Sequence, residues 1–558
     1  MGSKRFRSWN LVIVSVIMIS LLAQPNPAKA MSCAFKNPLI DRGQDPSVVY
    51  HQGYYYLVQS DAGSLFIKKS ALLTELGRAP NNTIFTPPPG KPYSADLWAP
   101  ELVYLKDHWY VYFAADDSPG HNAAHRIYAL QADSPDPLGT WTFKGKIADA
   151  TTDKWAIDAN VFEYKGHLYM VWSGWPGDQG DFPQNLYIAP MSDPLTISGP
   201  RVQIATPDQP WEKSVQPIEE GPEAFIHNDH LSIVYSADAS WTSAYKLGLL
   251  RLAGDNPLEM AAWTKVGPVF QKVDNKDGAV YGPGHNSMPV TSPDGTQNWL
   301  VYHAKTKAAD GWKDREIKAQ PFAWNADDTP NFGDPVPDSV ALPLPSGQSC
   351  GSVSNWSLEN SLTDGQKNTA TVNGSPTWIN GPKGTGSHAL HFNGTGDYLD
   401  LNDPLINTMG SYSVSAWVQL DRTDDTFTIA SQEGGVSSEF VLEYSAAVGG
   451  KFAFTLFDWK GTVTKQAVST IMPVAGTWYH VIGVRDALNK QITLYVNGQA
   501  DGSTDYNADW KAAGHTIIGA ARLRSQRVHY FAGALAAVRF YHGALSSAEA
   551  RSEYDLSH

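Results

Sequence analysis

The feature that most constrains the fold of this chain is a motif that occurs five times in its first 350 residues. Each copy has a polar or acidic opening, a short apolar segment, a turn rich in Gly, Asn, Asp or Lys, and an aromatic-rich segment. The copies begin at Asp45 (DPSVVYHQGYYYLVQS), Ala99 (APELVYLKDHWYVYFAAD), Asp158 (DANVFEYKGHLYMVWSG), Glu220 (EGPEAFIHNDHLSIVYSAD) and His285 (HNSMPVTSPDGTQNWLVYHA). The openings are 54 to 65 residues apart, which is enough for four antiparallel strands per copy.

These repeats predict an all-β fold, with a five-bladed β-propeller over residues 31–350. No stretch between the copies has a convincing apolar stripe of 3.6-residue period. A closed propeller leaves only short, protected sheet edges. The alternative is a two-sheet sandwich of irregular hairpins, and the repeat period is too long for single hairpins.

The same geometry brings distant acidic residues together. In a propeller the innermost strands of all blades run along the central axis in one direction, so residues at the same strand end converge on one cavity. The residues at or near that end are Asp45, Glu101, Asp158, Glu220 and His285. Converging carboxylates with aromatic residues around them suit glycoside hydrolysis, in which one carboxylic acid protonates the leaving oxygen and a second carboxylate activates water or attacks the sugar.

Five short segments, one per copy, resemble glycoside hydrolase family 43. They are GQDPSV at 43–48, WAPE at 98–101, IDANVF at 157–162, EGP at 220–222 and GPGHNS at 282–287. The resemblance covers about residues 33–350 and implies a five-bladed propeller that inverts the anomeric configuration. It implies that Asp45 is the general base, Glu220 the general acid, and Asp158 the carboxylate that orients the acid and tunes its pKa.

Two other glutamates compete with Glu220 for the acid role. Successive strand residues point to opposite faces, so Glu219 is expected to face away from the cavity. Glu223 is expected either to share the cavity or to bind solvent. An inverting mechanism needs the acid and base about 6.5–9.5 Å apart, a separation that side chains on different blades can provide.

For substrate binding we predict Trp98, Glu101, Trp175 and His285, with Trp155 in the core and the segment 178–185 at the rim of the pocket. His285 resembles the family's central histidine, which holds water or a cation beneath the substrate. A calcium ion would suit an acidic, solvated axial cavity. Because a single histidine is a weak ligand for a hard cation, we expect such an ion to be mostly water-bound and structural. The chemistry itself requires no cofactor.

A second all-β domain is predicted over residues 351–558. The segments SHALHFNGTGDYLDL, SVSAW, GTWYHVIGVRD, LYVNG and FAGALAAVRFYHGALSSAEA resemble the laminin-G-like, concanavalin-type jelly roll. This β-sandwich is expected to end in a short helical turn from Ser546. Polysaccharide targeting and a purely structural role remain equal alternatives for it.

The N-terminus predicts secretion. Residues 1–30 combine a basic start, an apolar run from Leu11 to Ala23 and an A-K-A end, as a signal peptide cleaved near Ala30 does. An uncleaved membrane anchor is the alternative, although the run is short for a full span. In a secreted chain the two cysteines, Cys33 and Cys350, are predicted to form a disulfide that fastens the ends of the first domain; two unrelated buried thiols are the alternative.

Charge excludes some partners. The whole chain carries 42 basic and 56 acidic residues, and loss of Lys4, Arg5, Arg7 and Lys29 with the signal peptide leaves 38 basic residues and a net charge of −18. Nucleic acid and anionic membranes are therefore poor partners. We expect a monomer that acts on plant cell-wall polysaccharide or arabino-oligosaccharides.

The sugar specificity follows only from resemblance. QNLYIAPMSDP and WAPELVYLKDHWYVYFAA look closest to the α-L-arabinofuranosidases of the family, including exo-acting arabinan enzymes. Endo-arabinanase and β-xylosidase activities remain open, as does a non-catalytic glycan-binding propeller. A retaining fructan-type hydrolase ranks low because the Arg-Asp-Pro element expected there is missing from residues 33–350.

Overall fold

The computed structural model describes, apart from Gly2, residues 34–149, 151–177, 182–348, 352–364, 368–382, 388–507 and 509–557. Within this part the chain is almost entirely β-structure, with one α-helix, so the all-β prediction is confirmed. The signal peptide, Cys33 and Cys350 lie outside the described residues, and their predictions stay predictions. No helix in the described part is long and apolar enough to cross a membrane.

The first domain is a propeller of five antiparallel sheets, as predicted. Blade 1 consists of Ser47–His51, Tyr54–Asp61, Ser64–Ser70 and Asn82–Phe85. Blade 2 consists of Ala95–Leu105, His108–Asp116, Arg126–Ala132 and Trp141–Ile147. Blade 3 consists of Ala156–Tyr164, His167–Gly174, Asn185–Asp193, Thr196–Ile197 and Val202–Ala205.

The last two blades follow the same plan. Blade 4 consists of Glu219–His227, His230–Ala237, Lys246–Leu252 and Trp263–Phe270. Blade 5 consists of Val273–Asn275, Gly278–Gly284, Val290–Thr291, Asn298–Lys305, Arg315–Trp324 and Pro330–Asn331. Short 3₁₀ segments lie between strands at Leu73–Arg78, Asn122–Ala124, Pro210–Glu212 and Met260–Ala262.

The aromatic-rich segments of the repeats form the strand next to the innermost one in each blade, which is Asn298–Lys305 in blade 5, and both faces of these strands are buried. In blade 2, every residue of His108–Asp116 except the first is buried. A strand between two packed neighbours reads as a continuous apolar run rather than as an alternating one. Separate apolar clusters fill the spaces between adjacent blades; one holds Val103 and Tyr112 of blade 2 against Val161 and Met170 of blade 3.

The ring is closed by its own N-terminal segment. Ala34–Phe35 pairs antiparallel with Leu342–Pro343, and the backbone N–H of Leu39 donates to the carbonyl of Ile317 at 2.8 Å on blade 5. The two ends of the described part of the propeller therefore lie side by side.

The second domain is a sandwich of two antiparallel sheets. The larger sheet consists of Ser352–Trp356, Thr377–Ile379, Ala389–Asn393, Tyr412–Leu420, Trp478–Asp486, Gln491–Val496, Gln499–Asp505 and Ala532–Tyr541. The other consists of Thr371–Asn373, Tyr398–Asp400, Phe427–Glu433, Ser438–Ser445, Lys451–Phe457, Val463–Val468 and Thr516–Ile518. A hairpin of Ala521–Leu523 and Gln526–Val528, the 3₁₀ segment Ala446–Val448 and the helix Ser547–Ser557 complete it.

The helix begins with a reciprocal cap. The backbone N–H of Glu549 donates to the Ser546 hydroxyl at 3.3 Å, and the Glu549 carboxylate accepts from the backbone N–H of Ser546 at 2.8 Å. This capping box satisfies N–H groups that have no partner in the first turn, which is why the chain turns helical here.

The two domains are joined by polar contacts. The backbone N–H of Ser411 donates to the carbonyl of Ala34 at 3.0 Å, and Lys511 pairs with Asp41 at 2.6 Å. Asp509 of the sandwich pairs with the buried Lys36 of the propeller.

Candidate active site

Each blade has a residue with a left-handed backbone at the corresponding position of its repeat, within or directly beside the innermost strand. We call these five the axial residues; they are Asp45 (φ +47°), Ala99 (+40°), Asp158 (+57°), Gly221 (+54°) and His285 (+45°). In blades 3 and 4 the pairing with the second strand skips two residues here, from Ile157 to Asn160 and from Glu220 to Glu223. Such bulges re-aim side chains and are tolerated where the surrounding structure holds them.

Two residues further along the chain in every blade lies a second layer of side chains, which we call the polar ring. It consists of Ser47, Glu101, Asn160, Glu223 and Ser287, all of them buried. Its members bond across blades: Ser47 accepts from the backbone N–H of Leu102 at 2.9 Å, and Asn160 donates to Glu223 at 2.8 Å. The polar ring therefore forms a floor of hydrogen-bonded side chains beneath the axial residues.

Above the axial residues opens a cavity of about 580 Å³. It is lined by Gln44, Asp45, Trp98, Ala99, Asn122, Trp155, Ile157, Asp158, Phe182, Gln184, Ile218, Glu220, Ser240, Trp241, His285, Trp312 and Arg315. The three carboxylates predicted to do the chemistry thus share one cavity. Phe182 and Gln184 belong to the predicted rim segment, whose residues 178–181 lie outside the described part.

Asp45 is surrounded by positive and hydrogen-bonding groups. Its Oδ1 lies 3.3 Å from the Arg315 guanidinium, 3.1 Å from Nδ1 of His303 and 3.4 Å from Nδ1 of His285. Burial by itself raises the pKa of Asp45, but these three neighbours outweigh burial and hold that pKa well below its usual range. Burial lowers the pKa of His303 to about 4, so this imidazole is neutral at neutral pH. The Arg315 guanidinium keeps its positive charge and favours the ionised form of Asp45.

Glu220 has the opposite environment. Burial, reinforced by the negative charge of Asp45, raises the pKa of Glu220 to about 7, although a hydrogen bond from Tyr245 opposes the rise. The Tyr245 hydroxyl donates to Oε1 of Glu220 at 2.8 Å. Glu220 therefore carries a proton over much of the acidic and neutral range, as a general acid must.

The pKa of Asp158 depends on the charges of both of these groups. Its Oδ2 accepts a hydrogen bond from the backbone N–H of Gly221 at 2.9 Å, which joins it to the residue directly after the acid. Burial first, and then the charges of Glu220 and Asp45, raise the pKa of Asp158 well above its ordinary value. Asp158 and Glu220 consequently titrate as a pair, and each influences when the other loses its proton.

Gly221 explains why the acid sits one residue before the axial position of blade 4. With φ at +54°, a Cβ on Gly221 would lie 3.2 Å from the imidazole ring of His285. Only glycine accepts that backbone without strain beside a packed ring. The axial position of this blade is thus a backbone contact, and the preceding Glu220 reaches the cavity instead.

The competing glutamates occupy other places. Glu219 is fully buried on the opposite side of its strand, where it pairs with Lys265 at 2.7 Å. Glu223 belongs to the polar ring, where burial and then the charge of Glu101 raise its pKa. Neither lines the cavity, so among these three glutamates only Glu220 does.

Two predicted substrate contacts need correction. Glu101 does not line the cavity; it lies in the polar ring because Ala99 takes the axial position of blade 2. Trp175 is buried and stacked on Trp155, with ring centroids 4.5 Å apart, and it is Trp155 that reaches the cavity wall. Trp175 therefore supports the wall from behind through its stacking on Trp155.

The other two predicted contacts do line the cavity. Trp98 is 38% exposed, and one face of its indole stacks on the buried His125 with centroids 3.9 Å apart, which leaves the other face open. His285 is buried, and its backbone N–H donates to the Ser236 hydroxyl at 2.7 Å.

Several lining residues were not predicted from the sequence. Trp241 comes from the loop after His230–Ala237 in blade 4, whereas Trp312 and Arg315 come from blade 5. All three lie outside the five quoted segments. Tyr245, which holds the acid, also lies outside them. A usable signal exists: polar and aromatic residues recur immediately before the third strand of blades 4 and 5, at the same end of the propeller as the axial residues.

The described side chains around the axis do not by themselves form a calcium site. Among the described residues, no group of three or more His, Cys, Asp and Glu side chains is arranged to hold a metal ion. His285 alone does not make a hard-cation site, so the protein side chains do not fit a directly coordinated calcium ion. A mostly water-bound ion stays a prediction, and no catalytic step is derived through it.

Comparison with known proteins agrees with this geometry. Residues 35–330 match the family model described as Glycosyl hydrolases family 43, and residues 393–551 match the model of the Concanavalin A-like lectin/glucanases superfamily. The first match covers more than half of the chain, and it contains all the residues that line the cavity.

Three individual relatives are informative. An extracellular exo-α-(1→5)-L-arabinofuranosidase of Streptomyces avermitilis is 37% identical over 338 residues, which cover 58% of this chain and 69% of that protein. A protein of the same name from Streptomyces chartreusis is 33% identical over 290 residues, covering 51% of this chain and 84% of that protein. The crystal structure of an α-L-arabinofuranosidase from Lactobacillus brevis superposes with a TM-score of 0.51 at 36% identity, covering 54% of this chain and 97% of that one.

Proposed function

The chain belongs to glycosyl hydrolase family 43, and from this membership we propose that it is a secreted, inverting glycosidase that releases α-L-arabinofuranosyl residues from arabinan or arabinoxylan. The single observation that carries the proposal is that Asp45, 3.3 Å from the Arg315 guanidinium, and Glu220, bonded to the Tyr245 hydroxyl, share one cavity; these surroundings lower the pKa of Asp45, and burial raises that of Glu220. The choice of arabinofuranose rests on the similar proteins, which bear that activity in their names.

The proposed reaction assigns one proton transfer to each carboxyl group. Asp45 accepts a proton from a water molecule whose oxygen attacks the anomeric carbon. Glu220 donates its proton to the glycosidic oxygen as the bond between that oxygen and the anomeric carbon breaks. Because water attacks opposite to the leaving group, the configuration inverts.

Two further residues support this division of labour. Arg315 keeps Asp45 ionised by its charge. Asp158, bonded to the backbone N–H of Gly221, fixes the segment that carries the acid, and the charge of Glu220 in turn raises the pKa of Asp158. Each role is electrostatic and depends on the exclusion of water from a buried cavity.

A hydrolysis panel tests the proposal. It compares aryl α-L-arabinofuranoside, aryl β-D-xyloside, linear arabinan and arabinoxylan, with the first-formed anomer followed by NMR. We expect release of arabinose as the inverted anomer, and loss of at least about a thousandfold in turnover for both Asp45→Asn and Glu220→Gln. Hydrolysis of the xyloside alone would refute the sugar assignment, and initial release of the retained anomer would refute the mechanism.

The panel also separates exo from endo action. An exo-acting enzyme releases arabinose from the start of the reaction, whereas an endo-acting enzyme first produces longer oligosaccharides from linear arabinan. N-terminal sequencing of the secreted protein tests the localisation, and a first residue of Met31 is expected.

A further inference from the structure

The rim of the cavity beside the acid carries two tryptophans that neither the sequence motifs nor the proposed chemistry uses. Trp312 is 54% exposed and Trp241 is partly exposed, although both are large apolar side chains. Their rings meet edge to face with centroids 5.4 Å apart at 62°. An exposed aromatic pair that lines a cavity is a ready contact surface for a ligand with an apolar face.

The pair is held in place by its backbone. Trp241 lies in the loop between His230–Ala237 and Lys246–Leu252 of blade 4. Trp312 lies in the loop between Asn298–Lys305 and Arg315–Trp324 of blade 5. The carbonyl of Trp241 accepts from the backbone N–H of Gly311 at 2.7 Å and from the Lys305 ammonium group. The carbonyl of Trp312 accepts from Nε of Arg315 at 3.2 Å. These bonds tie the two loops to each other and to the ends of the strands Asn298–Lys305 and Arg315–Trp324.

The loop that carries Ser240 and Trp241 connects the pair to the general acid. The indole N–H of Trp312 donates to the hydroxyl of Ser240 at 3.3 Å, and Tyr245 at the end of the same loop donates its hydroxyl to Glu220 at 2.8 Å. Arg315, the partner of Asp45, meets Trp312 at its backbone carbonyl, whereas the indole ring is bonded to the loop that holds the acid. The general acid lies on the leaving-group side of the scissile bond, because it protonates the leaving oxygen. The tryptophan pair, which is joined to the loop that holds the acid, lies on that side too.

We propose that Trp312, with Trp241 against its edge, binds the sugar unit on the leaving-group side of the scissile bond. This proposal rests on the proposed glycosidase function and deepens it. The C–H face of that sugar packs on the exposed face of Trp312. The enzyme therefore prefers substrates whose leaving group is itself a sugar over substrates with a small leaving group.

The test compares two substrates with the same arabinofuranosyl group and different leaving groups. These are α-1,5-linked arabinobiose, whose leaving group is a sugar, and methyl α-L-arabinofuranoside, whose leaving group is too small to cover an indole. For Trp312→Ala we expect kcat/KM to fall about tenfold on arabinobiose, mainly through KM, and to stay within about twofold on the methyl glycoside. Trp312→Phe, which keeps an aromatic face, should recover most of the loss.

Trp459→Ala serves as the matched control. Trp459 is 57% exposed on the sandwich domain, so its loss removes a comparable indole without touching the cavity, and both rates should be unchanged. An unaltered substrate ratio in Trp312→Ala, or an equal loss on both substrates, would overturn the inference. Failure of the wild-type protein to hydrolyse the methyl glycoside and the disaccharide would instead refute the proposed function, so the two failures are distinguishable.

Discussion

Asp45 and Glu220 carry the same functional group, yet their surroundings push their pKa values in opposite directions. Arg315 and two imidazole rings surround Asp45, whereas a tyrosine hydroxyl and a nearby carboxylate accompany Glu220. Because the difference lies in the neighbours, a change in one neighbour should move one limb of the pH profile.

Tyr245→Phe should shift the basic limb of kcat/KM to higher pH. The tyrosine hydroxyl stabilises the ionised form of Glu220 and so lowers its pKa; without that hydroxyl the pKa rises and the acid stays protonated to higher pH. One neutral hydrogen bond of about 1 kcal/mol corresponds to about 0.7 pH unit. Tyr128→Phe, whose hydroxyl donates to the carbonyl of Pro92 on blade 2, is the control and should leave the profile unchanged. A limb that moved to lower pH would contradict the assignment of Glu220 as the acid.

Glu101 and Glu223 are buried carboxyl groups that the proposed reaction does not use. Burial raises the pKa of Glu101 to about 7, against the lowering effect of its hydrogen bond with Glu223. A carboxyl group whose pKa is raised on folding contributes stability that is complete below pH 4.5 and is lost as the pH rises through 7.

Glu101→Gln should therefore make the propeller less sensitive to alkaline pH. Between pH 5 and pH 8 the free energy of unfolding should fall less in the variant than in the wild type, by on the order of 2 kcal/mol. Denaturant unfolding at several pH values measures this. Glu163→Gln removes a half-exposed carboxylate paired with Lys106 and should leave the pH dependence as it is. Parallel pH curves for wild type and Glu101→Gln would show that Glu101 ionises freely in the folded state.

At the scale of the element, the irregularities of the innermost strands matter more than their regular parts. A regular strand would alternate its side chains between two faces and send only every second residue to the cavity. The left-handed axial residues break this alternation between the cavity and the polar ring. Before the bulge of blade 4 the alternation is still regular, so Glu220 lies in the cavity while Glu219 pairs with Lys265 behind it. Glycines permit close packing between these strands and the side chains that hold the acid.

Gly284→Ala should damage activity through Tyr245. A Cβ on Gly284, the last residue of its strand, would lie 2.2 Å from the ring of Tyr245, so the ring must move and its hydroxyl leaves Glu220. Overpacking of this kind costs about 1–3 kcal/mol, and we expect a lower melting temperature together with a loss of about tenfold or more in kcat/KM.

The control for that prediction is Gly396→Ala. No atom lies within 4 Å of a Cβ at Gly396, so thermal unfolding and kcat/KM should both stay at the wild-type values. Wild-type activity in Gly284→Ala would mean that Tyr245 is not needed where the structure places it.

At the scale of the whole molecule, a buried ionic cluster joins the two domains. Asp509 accepts from both Lys36 of the propeller and Arg485 of the sandwich, and both of these cations are almost fully buried. Arg485 also donates to the carbonyl of Gly410. The cluster is shielded from solvent far better than the interdomain pair of Lys511 with Asp41, whose side chains are 41% and 59% exposed.

Asp509→Asn should lower the stability of the intact protein by about 3 kcal/mol, because it removes the carboxylate that pairs with both buried cations. Calorimetry of the full chain measures the effect as a lower melting temperature. The matched variant Asp41→Asn removes the exposed pair and should cost less than about 1 kcal/mol. Equal effects of the two substitutions would show that the Asp509 cluster is as well hydrated as the surface pair.

The sequence by itself determined the all-β architecture, the five blades, the sandwich that follows and the catalytic candidates Asp45, Asp158 and Glu220. The all-β architecture, the blades and the convergence of acidic residues follow from short-range patterns: apolar strands of regular spacing, turn residues between them, and acidic residues that recur at one end of each repeat. Local patterns of this kind survive without knowledge of neighbours, because strand and turn propensities act over a few residues. The sandwich and the roles of the three carboxylates follow from resemblance to known families.

Only the tertiary structure decided which side chains meet and in what state of protonation. The left-handed bulges moved Glu101 into the polar ring, and the stacking of two indoles put Trp155 rather than Trp175 at the cavity wall. Arg315 reaches Asp45 across 270 residues of chain, and burial together with such distant charges sets both pKa values. These outcomes depend on desolvation and on contacts between blades, neither of which exists until the ring has closed.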